Sequence, residues 1–130
     1  MPYTLTFSKQ VEIADTDLYI NDCCIGGDVV LDRLLPALRE KYGNDLRPNQ
    51  EDWGWFVWFD DGPIKLAVDV SADDDRSKFQ MQLTSRRPRF ILSDKVEDGA
   101  ELEALRELIV RRLTDWPVSK LTVEWVNEPR

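Results

Sequence analysis

The stretch WGWFVWFDDGPIKLAVDVSADDDRSKFQMQLTSR, residues 53–86, decides the fold. Its apolar residues recur at every second position, which is the side-chain period of a half-buried strand. Two groups of turn-forming residues divide it, Asp60-Asp61-Gly62-Pro63 and the polar run 72–77. The pattern predicts strands over 53–59, 64–71 and 78–86, joined as two antiparallel hairpins.

A turn centred on Asp61-Gly62 pairs Phe59 with Ile64, and the next loop pairs Val70 with Phe79. In that register Trp53, Trp55, Val57 and Phe59 share one face with Ile64, Leu66, Val68, Val70, Met81 and Leu83. This is the expected core face. The opposite face carries Gly54, Phe56 and Trp58, then Lys65, Ala67, Asp69 and Ser71, then Lys78, Gln80, Gln82, Thr84 and Arg86. Phe56 falls opposite Ala67, and Trp58 opposite Lys65, whose ammonium can rest on the indole. Large rings on a polar sheet face supply contact area at little entropic cost. Phe56, Trp58, Lys65, Asp69, Gln80 and Gln82 are therefore a candidate binding platform, unless a helix or a neighbouring subunit covers them.

Working outward, Tyr3, Leu5 and Phe7 alternate with polar residues and predict a first strand ending near Ile13. Residues 14–27 are rich in Asp, Asn and Gly and read as a loop. Asp28 is placed to cap a helix with Leu31, Leu34, Leu35, Leu38 and Tyr42 on one face and a stop at Gly43-Asn44; Pro36 is expected to kink or divide it. A short strand is expected at 89–93. Asp98 and Glu101 have the spacing of a capping box before a stripe of Leu102, Leu105, Ile109, Leu113 and Trp116. Pro117 ends that helix, and Leu121, Val123 and Trp125 make a last strand. The expectation is an α+β fold in the order β-α-β-β-β-β-α-β. It has five to six mainly antiparallel strands and two helices mostly on one face.

With 130 residues the chain matches the size of a single domain, and 42% hydrophobic with 32% charged residues argue against disorder. No basic and apolar leader pattern opens the sequence, and no run approaches the ~20 apolar residues that span a bilayer. Cys23 and Cys24, adjacent in sequence, cannot staple distant segments and fit a reducing compartment. A cytoplasmic, bacterial-type protein is expected.

The net charge of −8 is unevenly distributed: residues 1–75 hold 16 acids against 6 bases, and residues 76–130 hold 9 against 11. Acidic surfaces repel nucleic-acid phosphates and anionic lipids and attract basic proteins. Asp15, Asp17 and Asp22, with Asp73, Asp74 and Asp75, form the candidate acidic surface. Arg86, Arg87 and Arg89 form one basic cluster, able to grip a phosphate or to pair with the chain's own carboxylates.

The chain contains no histidine, so a Ser-His-Asp or Cys-His centre is impossible and zinc would need an uncommon ligand set. From Asp73 the sixth and twelfth positions of a calcium loop hold Lys78 and Thr84; from Asp15 they hold Ile20 and Gly26. Gly26-Gly27 lacks the further glycine and lysine of a phosphate loop. No catalytic residue, metal or cofactor is assigned. The expected function is a non-catalytic protein–protein interaction module, an acidic inhibitor or immunity-type protein masking a basic partner. A small-ligand or peptide binder using the free sheet face is the alternative, and a homodimer is compatible with either.

Overall fold

The computed structural model describes residues 3–13, 15–73, 77–87, 95–97 and 99–125. Its strands are β1 (Tyr3–Ser8), β2 (Asn49–Glu51), β3 (Gly54–Asp61), β4 (Ile64–Ala72), β5 (Lys78–Arg87), β6 (Lys95–Glu97) and β7 (Ser119–Trp125). Helix α1 (Gly27–Tyr42) lies between β1 and β2, and α2 (Ala100–Asp115) between β6 and β7. All pairings are antiparallel, in the order β2-β3-β4-β5-β1-β7 with β6 also against β5. The fold is α+β and antiparallel, as the residue pattern implies, and the described residues include the short additional strand β2.

Both helices pack on one face of this sheet. Leu31, Leu34, Leu35 and Leu38 of α1 and Leu102, Leu105, Ile109 and Leu113 of α2 meet Leu5, Phe7, Val57, Phe59, Ile64, Leu66, Val68, Val70, Phe79, Met81 and Leu83 in one buried cluster. Burial of a Leu, Val or Phe side chain stabilises by about 1.5–3 kcal/mol, so this shared layer is the main source of stability.

The observed register departs from expectation by two residues at each hairpin. Phe59 pairs with Leu66 and Asp61 with Ile64, because the turn is Gly62-Pro63 rather than Asp61-Gly62. Val70 likewise pairs with Met81, and Ala72 with Phe79. A shift of two leaves every side chain on its expected face. It does change the partners: Trp58 stands opposite Ala67, not Lys65, and Phe56 opposite Asp69, not Ala67.

Trp53 departs further. Rather than opening a strand on the core side, it sits with Asp52 in a two-residue turn between β2 and β3, where Glu51 pairs with Gly54. Gly54 has φ +151°, and a Cβ there would stand 2.2 Å from the Val70 carbonyl oxygen. This glycine lets β3 press against β4, and it breaks the alternation that placed Trp53 with Trp55.

The helix ends also differ. Gly26, with φ +88°, caps α1 without a side-chain bond, and Asp28 instead accepts the Tyr19 hydroxyl at 2.7 Å. Pro36 neither divides nor ends α1. It lies on the exposed flank of the helix, with Asp32, one turn before it, also exposed. Gly99, not Asp98, is the N-cap of α2 and makes no side-chain cap bond; Asp98 itself and the strand expected at 89–93 lie outside the described residues. The first strand ends at Ser8, short of Ile13.

Candidate functional site

With both helices on one side, the other face of the sheet carries no helix among the described residues. Trp58 is 62% exposed there, and its ring centroid lies 4.4 Å from that of Phe56, which lies 5.7 Å from that of Trp53. Three rings thus run along β3 as one apolar ribbon. Trp53 joins them, against the expectation of a core position, because its turn swings it over the strand.

Trp58 Nε1 donates to Asp69 Oδ1 at 2.9 Å, a diagonal pairing across β3 and β4. Burial pushes the Asp69 carboxyl above the ordinary aspartate range, against the lowering effect of the Trp58 hydrogen bond and of Arg86. The indole is therefore held in a fixed orientation by a carboxylate beneath it.

Registers carry the platform across the sheet. One row runs Phe56, Asp69, Gln82, Thr4, Glu124, and another runs Trp58, Ala67, Thr84. Three shallow depressions with shared wall residues follow one another along this face, of about 490, 350 and 550 Å³. The first, beside Trp58, has Lys65, Asp69, Thr84 and Arg86 in its wall, and Asp69 also borders the second. The second and third share Ser71 and Gln80. The six residues of the expected platform, Phe56, Trp58, Lys65, Asp69, Gln80 and Gln82, thus lie on one continuous open face.

Only two residues of the expected basic cluster lie among the described residues. Arg86 and Arg87 are successive residues of β5 and point to opposite faces; Arg89 lies outside the described residues. Arg111 and Arg112 line a separate depression between α1 and α2, with Lys41 and Glu107.

The acidic residues divide. Asp73 follows β4 and borders the open face beside Lys78, while Asp74 and Asp75 lie outside the described residues. Asp15, Asp17 and Asp22 belong to the segment before α1, which contains the 3-10 turns Thr16–Leu18 and Asp22–Cys24. Asp15 accepts the Asp17 amide at 2.9 Å, so it is partly a cap. Hydrogen bonds tie this segment to the β2–β3 hairpin: Ile20 N donates to Gln50 Oε1 at 2.6 Å, Gln50 Nε2 donates to the Leu18 carbonyl at 3.1 Å, and Asn21 Nδ2 donates to the Asp52 carbonyl. Tyr19 turns inward, edge-on to Trp55. Leu18 and Ile20 turn outward and are 63% and 57% exposed.

Here the structure assembles a patch that the strand pattern did not reveal. Leu18 and Ile20 are exposed on the segment that carries exposed Asp15, Asp17 and Asp22, and the hydrogen bonds through Gln50 and Asn21 join that segment to the hairpin of exposed Glu51, Asp52 and Trp53, the last 40% exposed. A sequence signal exists: neither residues 10–32 nor residues 48–64 contain a single Lys or Arg. Within this segment Cys24 is buried and donates through Sγ to the Glu51 carbonyl at 3.0 Å, its thiol pushed up by burial. Half-buried Cys23 donates through Sγ to Asn21 Oδ1 at 2.7 Å. Both thiols act as small packing groups that brace the loop.

Among the described residues no group of three or more Cys, Asp or Glu side chains is placed to hold a metal ion, and no helix is long and apolar enough to cross a membrane. No family model, curated protein or solved structure matches this chain.

Proposed function

We propose that the protein is a non-catalytic interaction module that captures a basic partner protein on the patch formed by residues 15–24, Glu51 and Asp52. The observation that carries this reading is the exposure of Leu18 and Ile20 on two hydrogen-bonded segments that carry Asp15, Asp17, Asp22, Glu51 and Asp52 and no Lys or Arg. Apolar anchors surrounded by one sign of charge suit a partner with the opposite rim: the anchors supply affinity, and the rim supplies steering and selectivity. The bonds through Gln50, Asn21 and Tyr19 fix the loop before binding, which lowers the ordering cost. An inhibitor or immunity-type protein that covers a basic nuclease or toxin has this chemistry.

Selection from a random peptide display library tests the reading. Enriched peptides are expected to be rich in Lys and Arg around an apolar residue. Their affinity should fall steeply as salt rises past the point where the Debye length is about 8 Å. It should fall at least about tenfold in the double variant Leu18→Ser/Ile20→Ser, a loss of about 1.4 kcal/mol. Enrichment of neutral or acidic peptides, or equal binding by the variant, would overturn it.

A further inference from the structure

We infer that the open sheet face is a second, separate binding site, for a neutral polyhydroxylated chain, an oligosaccharide stacked on Trp58. Four features select that chemistry. The first is the state of the indole. An exposed tryptophan covered by a ligand normally strands its N–H, but Trp58 Nε1 is already bound to Asp69, so the ring can be covered without orphaning a donor. Sharing that proton with a carboxylate also enriches the ring, whose negative face attracts the partly positive C–H groups of a pyranose.

The second feature is shape. Ala67 stands directly opposite Trp58, and its small side chain leaves a trough beside the ring, floored by β4. Neighbouring depressions that share wall residues, Asp69 between two of them and Ser71 and Gln80 between the next two, suit an extended chain better than a compact ligand, which favours an enclosed cavity.

The third is hydrogen-bonding type. Gln80, Gln82 and Thr84 recur at every second position of β5 along the trough, and each offers both donor and acceptor groups. Sugar hydroxyls need both. An anion needs only donors, and a cation only acceptors.

The fourth is charge. The lining of the three depressions carries Asp60, Asp69 and Asp73 against Lys65, Lys78, Arg86 and Lys120. On a chain of net charge −8 this surface is close to neutral, which gives neither a polyanion nor a polycation a long-range advantage.

The test is calorimetric and tryptophan-fluorescence titration of the full chain with neutral hexasaccharides: cellohexaose, xylohexaose, maltohexaose, mannohexaose and chitohexaose. A heparin hexasaccharide and hexa-arginine are the charged arms. At least one neutral sugar is expected to bind saturably, with an affinity that changes less than about twofold as screening increases. Trp58→Ala and Ala67→Leu should each weaken that binding at least about tenfold, the first by removing the ring and the second by filling the trough. Leu18→Ser/Ile20→Ser should leave it unchanged, so the result is independent of the basic-partner reading. Absence of binding by every neutral sugar up to about 10 mM, weaker than any useful recognition, would overturn the inference. So would binding by the charged arms alone, or undiminished binding by the folded Trp58→Ala protein.

Discussion

The two faces of one sheet are built from alternate residues of the same strands, yet they use their large side chains in opposite ways. On the helix-bearing face Phe59, Leu66, Val68 and Met81 are buried among α1 and α2, and their identity is dictated by packing. On the open face Phe56 and Trp58 meet no helix among the described residues, and the Trp58 indole instead donates from its edge to Asp69. Apolar surface on the first face is the source of stability. On the second it is left exposed against the hydrophobic effect and stabilises little, which is the usual mark of a surface shaped for contact.

The contrast breaks most visibly at Leu66, the third residue of β4 and 1% exposed. Leu66→Ala removes methyl groups from the shared layer and leaves a cavity, so a loss of about 2–5 kcal/mol in urea unfolding is expected. A loss below about 1 kcal/mol would mean that the helices do not seal this face.

Next in size is Gly54→Ala. An added Cβ would lie 2.2 Å from the Val70 carbonyl oxygen, and the backbone sits at φ +151°, so β3 and β4 must part locally. About 1–3 kcal/mol of destabilisation is expected from backbone strain of this kind. Trp53 and Trp55 on either side would also show altered fluorescence. A neutral outcome would mean that Gly54 does not set the outward placement of Trp53.

Trp58→Ala, by contrast, opens no cavity and should cost no more than about 1 kcal/mol, mainly the exchanged hydrogen bond. Its sharper signature is at Asp69. Losing the bond that favours its charged form should raise the Asp69 carboxyl further, measurable by NMR titration of the side-chain carbon. A loss comparable to that of Leu66→Ala would place Trp58 in a packed layer and end the case for an open platform.

How much of this is legible in sequence follows from the kind of signal each feature leaves. Alternation in residues 53–86 encodes which face each side chain takes, and it survives a register error of two because the side-chain period is itself two. Residue partners are another matter. The Trp58–Asp69 bond depends on the location of the turn, and Asp-Asp-Gly-Pro admits more than one. Strand β2, Asn-Gln-Glu, has no apolar residue to betray it and is a strand only because β3 offers its edge. Pro36 reads as a break by the rule for helix interiors, yet α1 runs through it with the ring on the exposed flank, while the buried Leu34, Leu35 and Leu38 around it hold the helix on the sheet. The acid-rimmed patch is hidden for a different reason. It joins residues about thirty apart through Gln50 and Asn21, and only the absence of Lys and Arg from two segments hints that they meet.

The smallest expected effect is also the most discriminating, because its sign is opposite to the others. Asp69→Asn keeps an oxygen that can accept from Trp58 Nε1 but removes a charge that burial disfavours. The folded carboxyl titrates above the unfolded value of about 3.9. Between those two pKa values the native state therefore holds a proton that the unfolded chain has released, and stability contributed by that proton is lost as pH rises through the folded pKa. Above it, the native protein carries the full cost of the ionised group. Asp69→Asn carries none, so at pH 7 the variant is expected to be slightly more stable than the wild type, by no more than about half a kcal/mol. As pH falls well below about 3.9, where both states of the wild type become protonated, the two unfolding midpoints should converge. A variant that is less stable at pH 7, with the gap closing in acid, would show that Asp69 is held by Arg86 as a favourable ion pair. The indole would then be oriented by a carboxylate whose charge is stabilising, and the two faces would differ less in their energetics than their exposure implies.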